Sequence, residues 1–283
     1  MRIKKIKLKI GYLLMMIGIS LPLVSLTKIA YTDFRSEAAY EDFLKNQNGD
    51  TVKNNNRIEE YNENVRVKKE KYLIDPFIND KFNAEYSIYK ENPDKIFAYI
   101  SIPKINVKMP IRLGASAKNL DRGAAHLDNT SLPVGGIGTR SVITGHRGWY
   151  KGNMFLHVNK LKRGDKVYIE RNNECLEYEV LNKEIIMPND WEKILPDSDK
   201  DMLTLLTCDP VITRNPKRLL INCENVDKRF YTDNRGDIEK NHPEKSKVLN
   251  SVLFFNYTVN FLVAAGWIAE IYIFTKLVKV VNA

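Results

Sequence analysis

Cysteine, histidine and clustered glycine are scarce in this chain, and each shortage removes a class of function. Three cysteines in 283 residues, Cys175, Cys208 and Cys223, cannot build a disulfide-rich scaffold, and at least one thiol must stay unpaired. No His/Cys/Asp/Glu cluster has metal-ligand spacing, so no metal is expected. No Gly-rich loop follows a strand in the way a phosphate site requires, and no cofactor is expected. Repeats and low-complexity tracts are missing as well. Acidic residues are in deficit: 35 Asp and Glu against 44 Lys and Arg leave a net charge of +9. An excess of that size often marks a nucleic-acid or anionic-membrane partner. Here Arg2, Lys4, Lys5, Lys7 and Lys9 crowd one end, while acids and bases mix through the middle. That placement points to membrane topology, and no nucleic-acid partner is expected.

Long apolar runs occupy both ends. Ile10 to Tyr31 is nearly all apolar, interrupted by Gly11, Gly18 and Pro22 and closed by Lys28; about 20 such residues cross a bilayer core. A cleaved signal peptide is the rival reading. The stretch Ser25-Leu26-Thr27-Lys28-Ile29-Ala30-Tyr31 has no small-x-small cleavage site, which favours an uncleaved anchor. Val252 to Thr275 is the second run, interrupted by Asn256, Asn260 and Glu270 and followed by Lys276 and Lys279. An acid at mid-bilayer costs roughly 2.5 to 3.5 kcal/mol, less near a helix end. A buried hydrophobic helix is the alternative for this run. Positive charge stays on the cytoplasmic side, so both termini are expected in the cytoplasm and residues 32–250 outside.

Between the runs, Ser36 to about Lys71 is rich in Glu, Lys and Asn, with Tyr40, Phe43, Leu44, Ile58, Tyr61 and Val65 at helical spacing. One or two amphipathic helices are predicted, split near Asn48-Gly49-Asp50. From Lys95 the pattern changes to short β-branched and aromatic runs: Phe97–Ile102, Val107–Ile111, Arg140–Thr144, Lys166–Arg171, Cys175–Ile186, Met202–Thr207 and Arg218–Cys223. Met154–Leu161 alone among them reads as helical. Many short strands separated by Pro and Gly turns predict a mainly β, closed or nearly closed barrel of about eight strands with short helices. The chain then divides into a basic end and anchor (1–31), a helical region (32–94), the barrel (95–230), a linker (231–250) and a second membrane segment with a basic tail (251–283).

Two predicted strands end in residues suited to nucleophilic chemistry: Ser141-Val142-Ile143-Thr144-Gly145-His146-Arg147-Gly148 and Leu203-Thr204-Leu205-Leu206-Thr207-Cys208. Arg218 opens the next strand after the turn-rich Asp209-to-Lys217 segment, so a hairpin would return it beside Cys208. Taken singly, a strand-end Cys is more often a small buried hydrophobe than a nucleophile, and a lone His or Arg is usually a hydrogen-bonding group. Together, Thr204-Leu205-Leu206-Thr207-Cys208 with Arg218, and Thr144-Gly145-His146-Arg147-Gly148, closely resemble the Cys, His and Arg signatures of sortases. Ala98-Tyr99-Ile100-Ser101-Ile102-Pro103-Lys104-Ile105 resembles the first strands of that barrel. Asn129-Thr130-Ser131-Leu132-Pro133-Val134-Gly135-Gly136 resembles the stretch ahead of the catalytic His in class C, the pilus-building group. Tyr72-Leu73-Ile74-Asp75-Pro76-Phe77 resembles the class C lid, in which the acid lies near the Arg and the ring near the Cys; a plain turn is the alternative. Asp209-Pro210-Val211-Ile212 departs from the Thr-Pro-Tyr-Gly expected after the Cys, and Trp149-Tyr150 from the Leu-Pro expected after the His motif.

The resemblance implies a cysteine transpeptidase on the membrane of a Gram-positive bacterium, with its catalytic domain extracellular. Cys208 would attack an LPxTG-like sorting signal, His146 would move the proton, and Arg218 would hold the carbonyl or oxyanion. Asp75 and Phe77 would form the lid. Its partners would be pilins or other surface proteins carrying that signal, with a pilin Lys amine as acceptor. Attachment to peptidoglycan and a non-catalytic membrane-anchored scaffold are the alternatives. With ordinary pKa values, under about 1% of molecules would hold Cys208 as thiolate and His146 as imidazolium together at pH 7. His126 has no motif role, His157 reads as a helix-surface residue and His242 as a linker residue. Cys175 and Cys223 read as buried inert thiols, with a mutual disulfide left open.

Overall fold

The protein is described as a computed structural model that covers residues 2–46, 52–67, 73–78, 86, 88–89, 92, 94–148, 154–188, 190–210, 217–226 and 246–282. In chain order the elements are α1 (Arg2–Lys45), α2 (Val52–Val67), β1 (Ala98–Ile102), β2 (Val107–Leu113), α3 (Ala117–Leu120), β3 (Ala124–His126), β4 (Thr139–Thr144), β5 (Lys166–Arg171), β6 (Glu174–Ile186), β7 (Asp201–Asp209), β8 (Lys217–Asn225) and α4 (Asn250–Asn282). Two compact units divide them. One is built from α1 up to Arg35 together with α4; the other holds the rest of α1, α2, α3 and every strand.

In the first unit both helices are long and apolar enough to cross a membrane, as suits a membrane-anchored protein. The first apolar run and the start of the expected amphipathic region form one continuous helix, and Pro22 does not end it. Gly266 brings the helices close, since a Cβ there would lie 2.6 Å from Leu23 Cδ1. Small residues at such a crossing let two backbones approach. Glu270, the flaw in the apolar run, is 7% exposed and accepts a hydrogen bond from Ser20 Oγ at 2.8 Å. Trp267 Nε1 donates to Thr27 Oγ1 at 3.1 Å.

The second unit is a closed barrel of order β1-β2-β3-β4-β7-β8-β6-β5. Pairs β2–β3 and β4–β7 are parallel and the rest antiparallel. All five residues of β1 are buried, which requires cover on both of its faces. Tyr40 and Phe43 of α1 supply part of that cover by packing on Tyr99, with ring centroids 5.5 and 4.6 Å away. The Tyr40 hydroxyl also donates to the buried Glu170 carboxylate of β5 at 2.6 Å. α2 buries Ile58 and Val65 and grips the stretch before β4. There the Tyr61 hydroxyl accepts from the Asn129 N–H at 3.2 Å, and Asn62 Oδ1 accepts from the Leu132 N–H at 2.7 Å.

The seven predicted strands are all present within two residues of their expected ends. β3 was not expected; Ala124-Ala125-His126 is too short to show alternation and exists because β2 and β4 pair with it on either side. Met154–Leu161 is not an α-helix but a turn followed by a 3-10 turn at Val158–Lys160. The Phe155 N–H bonds the His146 carbonyl at 3.1 Å instead of a helical partner, so this segment braces the His146 loop. His157 is accordingly buried, not on a helix surface. Cys175 and Cys223 are buried and are not joined in a disulfide. The expected linker positions 231–245, with His242, lie outside the described residues.

Candidate active site

β4 and β7 run parallel in a register that pairs Thr144 with Leu206, so two residues further on His146 comes level with Cys208. The threonines of both motifs build this end of the barrel. Thr207 Oγ1 donates to the Gly145 carbonyl at 2.7 Å, and Thr204 Oγ1 donates to Asn222 Oδ1 on β8 at 3.0 Å. Thr144 Oγ1 donates to the Ala125 carbonyl at 3.0 Å. Gly145 cannot be larger, because a Cβ would lie 2.7 Å from the Phe155 ring. On the other side of β7, the antiparallel register sets Cys208 directly opposite Arg218 of β8. Such directly opposed residues carry Cβ atoms about 4.5 to 5.5 Å apart.

Asp75, Pro76 and Phe77 form a turn beside Arg218 and His146. Asp75 Oδ1 accepts from the Phe77 N–H at 2.9 Å, which shapes the turn, and Oδ2 accepts from Arg218 Nε at 2.8 Å. The Asp75 and Arg218 side chains are 5% and 1% exposed. An exposed pair would be worth about 0 to 1 kcal/mol. Removing one partner of such a buried pair costs about 3 to 5 kcal/mol, because the other charge is left buried and unpaired. The Phe77 ring lies between the other two groups, 5.9 Å from the His146 ring and 5.2 Å from Arg218 Cζ, centroid distances in both cases. Leu73 anchors the same segment in the core cluster with Leu120, Leu127, Ile194, Leu206 and Leu220.

Burial pushes the Cys208 thiol above its ordinary pKa; Arg218 and Arg147 pull it down, while Asp75 pushes it up. The closed arrangement therefore holds the thiol protonated at neutral pH. Three further residues that had no role in the sequence reading meet here. Asp121 Oδ1 is 3.5 Å from His146 Nε2. Arg147 pairs with Asp209 and also reaches the Cys208 carbonyl at 3.4 Å. All three are ordinary charges in sequence; the end of α3 brings Asp121 to the site, and the neighbouring ends of β4 and β7 bring Arg147 and Asp209. Trp149, Tyr150 and residues 211–216 lie outside the described residues.

A Sortase domain family model matches residues 100–226. The solved sortase C-3 of Streptococcus pneumoniae is 35% identical, with a TM-score of 0.58 over 69% of this chain and 90% of that chain. This chain belongs to the sortase family. A pilus-related sortase C of Group B Streptococcus is 35% identical, with a TM-score of 0.55 over 62% of this chain and 88% of that one. Sortase A of Bacillus anthracis is 34% identical over 138 residues, which are 49% of this chain and 63% of that protein. The match thus spans less than two thirds of that curated relative. Sortases are cysteine transpeptidases, and the solved sortases most similar here are of class C.

Proposed function

We propose that this chain is a membrane-anchored class C-like transpeptidase that joins pilin subunits on the outer face of the cell membrane, with both termini in the cytoplasm. The observation that carries the reading is the Cys208–Arg218 register pair, with His146 at the adjacent strand end and Asp75 latched to the same arginine. The Cys208 thiolate attacks the Thr carbonyl of an LPxTG-like signal. Arg218 donates hydrogen bonds to the oxygen as its charge develops. Collapse breaks the Thr–Gly bond, His146 gives its proton to the leaving amine, and a thioester remains on Cys208. A pilin Lys amine then attacks the thioester, His146 takes a proton from it, and an isopeptide bond forms as the Cys208 thiolate leaves.

The test is to incubate the full chain in detergent with candidate pilins and sequence any cross-linked product. A Thr-to-Lys isopeptide between two pilins is expected. Linkage of the Thr to a peptidoglycan amine would replace this reading with cell-wall attachment, and no Cys208-dependent product of either kind would leave a scaffold role.

A further inference from the structure

Beyond the last backbone pair of β4 and β7, three ties hold the two strand ends together. The Gly145 N–H bonds the Leu206 carbonyl at 3.2 Å, and Thr207 Oγ1 bonds the Gly145 carbonyl at 2.7 Å. The outermost tie is Arg147 with Asp209, each the immediate neighbour of a candidate catalytic residue. The Arg147 side chain is 8% exposed and that of Asp209 24%. A guanidinium so far out of water needs an anion at hand, and its planar fork fixes direction as well as charge. One arm of that fork serves both the Asp209 carboxylate and the Cys208 carbonyl. The resemblance implies a threonine at 209, where this chain carries a carboxylate.

We infer that Arg147 and Asp209 are a positioning pair that sets His146 against Cys208. The inference rests on the Cys–His chemistry proposed above. Neither residue touches the reacting atoms. Their bond crosses from one strand end to the other and leaves the backbone on each side one residue of freedom. A misplacement of about 1 Å at such a site costs on the order of 10²-fold in rate. Losing either partner should therefore do similar harm, and losing both should add little.

The experiment follows alkylation of Cys208 by iodoacetamide against pH in the full chain, read by mass at the Cys208 peptide. The variants are Arg147→Gln, Arg147→Lys, Asp209→Asn, the Gln/Asn double and His146→Ala. A charge effect alone moves the profile in opposite senses, up in pH when Arg147 is neutralised and down when Asp209 is neutralised. A positioning pair moves both single variants in the same sense, toward the His146→Ala profile. The double variant then matches the singles, and Arg147→Lys falls between parent and Gln. Shifts in opposite senses, or pair variants that superimpose on the parent, overturn the inference and leave the Cys–His reading intact. A His146→Ala profile identical to the parent also overturns the inference, because the placement of His146 then has no effect on the thiol.

Discussion

Asp75 reaches across the site to Arg218, carboxylate to guanidinium at 2.8 Å, with both side chains almost fully buried. The nitrogen occupied in this way cannot also hold a substrate carbonyl, so the proposed mechanism requires Asp75 to release it before that nitrogen can donate to substrate. Replacing Asp75 and Phe77 together with Ala should speed alkylation of Cys208 by a small thiol reagent ten-fold or more (about 1.4 kcal/mol per ten-fold). Limited proteolysis should cut more readily around Pro76 in the same variant. Equal alkylation and equal cleavage in variant and parent would reduce residues 75–77 to a turn.

The direction of a pH effect follows from the same contact. Asp75 raises the Cys208 pKa by its own charge, and burial raises it further. Asp75→Asn removes the charge and frees Arg218 to face the thiol, and both changes lower the pKa. The midpoint of the alkylation profile should move to lower pH. A midpoint that stays in place or rises would show that Asp75 does not act on the thiol.

Arg218 offers a planar fork of donors that an ammonium cannot copy. If it holds the developing oxyanion, Arg218→Lys should slow acyl transfer by about 10² to 10³, as loss of one oxyanion donor does. A near-parental rate would limit Arg218 to charge balance or to holding the lid.

Much of this site was legible because its motifs are local. The strings ending in His146 and Cys208 are apolar strands with a polar tip, and the hairpin returning Arg218 beside Cys208 followed from the turn residues between them. Asp75-Pro76-Phe77 could be read as a lid or as a turn, and the structure shows a turn whose acid pairs with Arg218. What escaped was held by partners distant in sequence. β3 owes its extended form to β2 and β4, the segment after Met154 gives its N–H to the His146 loop in place of a helix, and Arg147 meets Asp209 only because β4 and β7 are neighbours. The merging of α1 into a single helix was also hidden, since the change from apolar to charged residues looks like a boundary but has no breaker at it.

His126 shows how a residue without a motif role can still matter. It is fully buried, with Nε2 2.9 Å from the Ser131 carbonyl and Nδ1 3.0 Å from the Tyr86 hydroxyl, which itself donates to Asp128. Burial lowers its pKa to about 4. The unfolded chain takes up this proton near pH 6.5 and the folded one does not, so stability is lost as pH falls from about 6.5 to 4, by roughly 3 kcal/mol in all. In His126→Gln the fall in melting temperature over that window should be smaller, even from a lower starting point. A parallel fall in both proteins would assign the acid sensitivity to other groups.

The most direct test of the account is the intact mass of the full chain after incubation with an LPxTG peptide, with no acceptor amine present. Parent protein should carry the mass of the peptide up to its Thr carbonyl, on Cys208 alone, and should lose it when a Lys-containing amine is added, with the new amide recovered. Cys208→Ala and His146→Ala should carry no such adduct while giving the parent's circular dichroism. Peptide cleavage by the Cys208→Ala protein, or an adduct on Cys175 or Cys223 in place of Cys208, would contradict the mechanism.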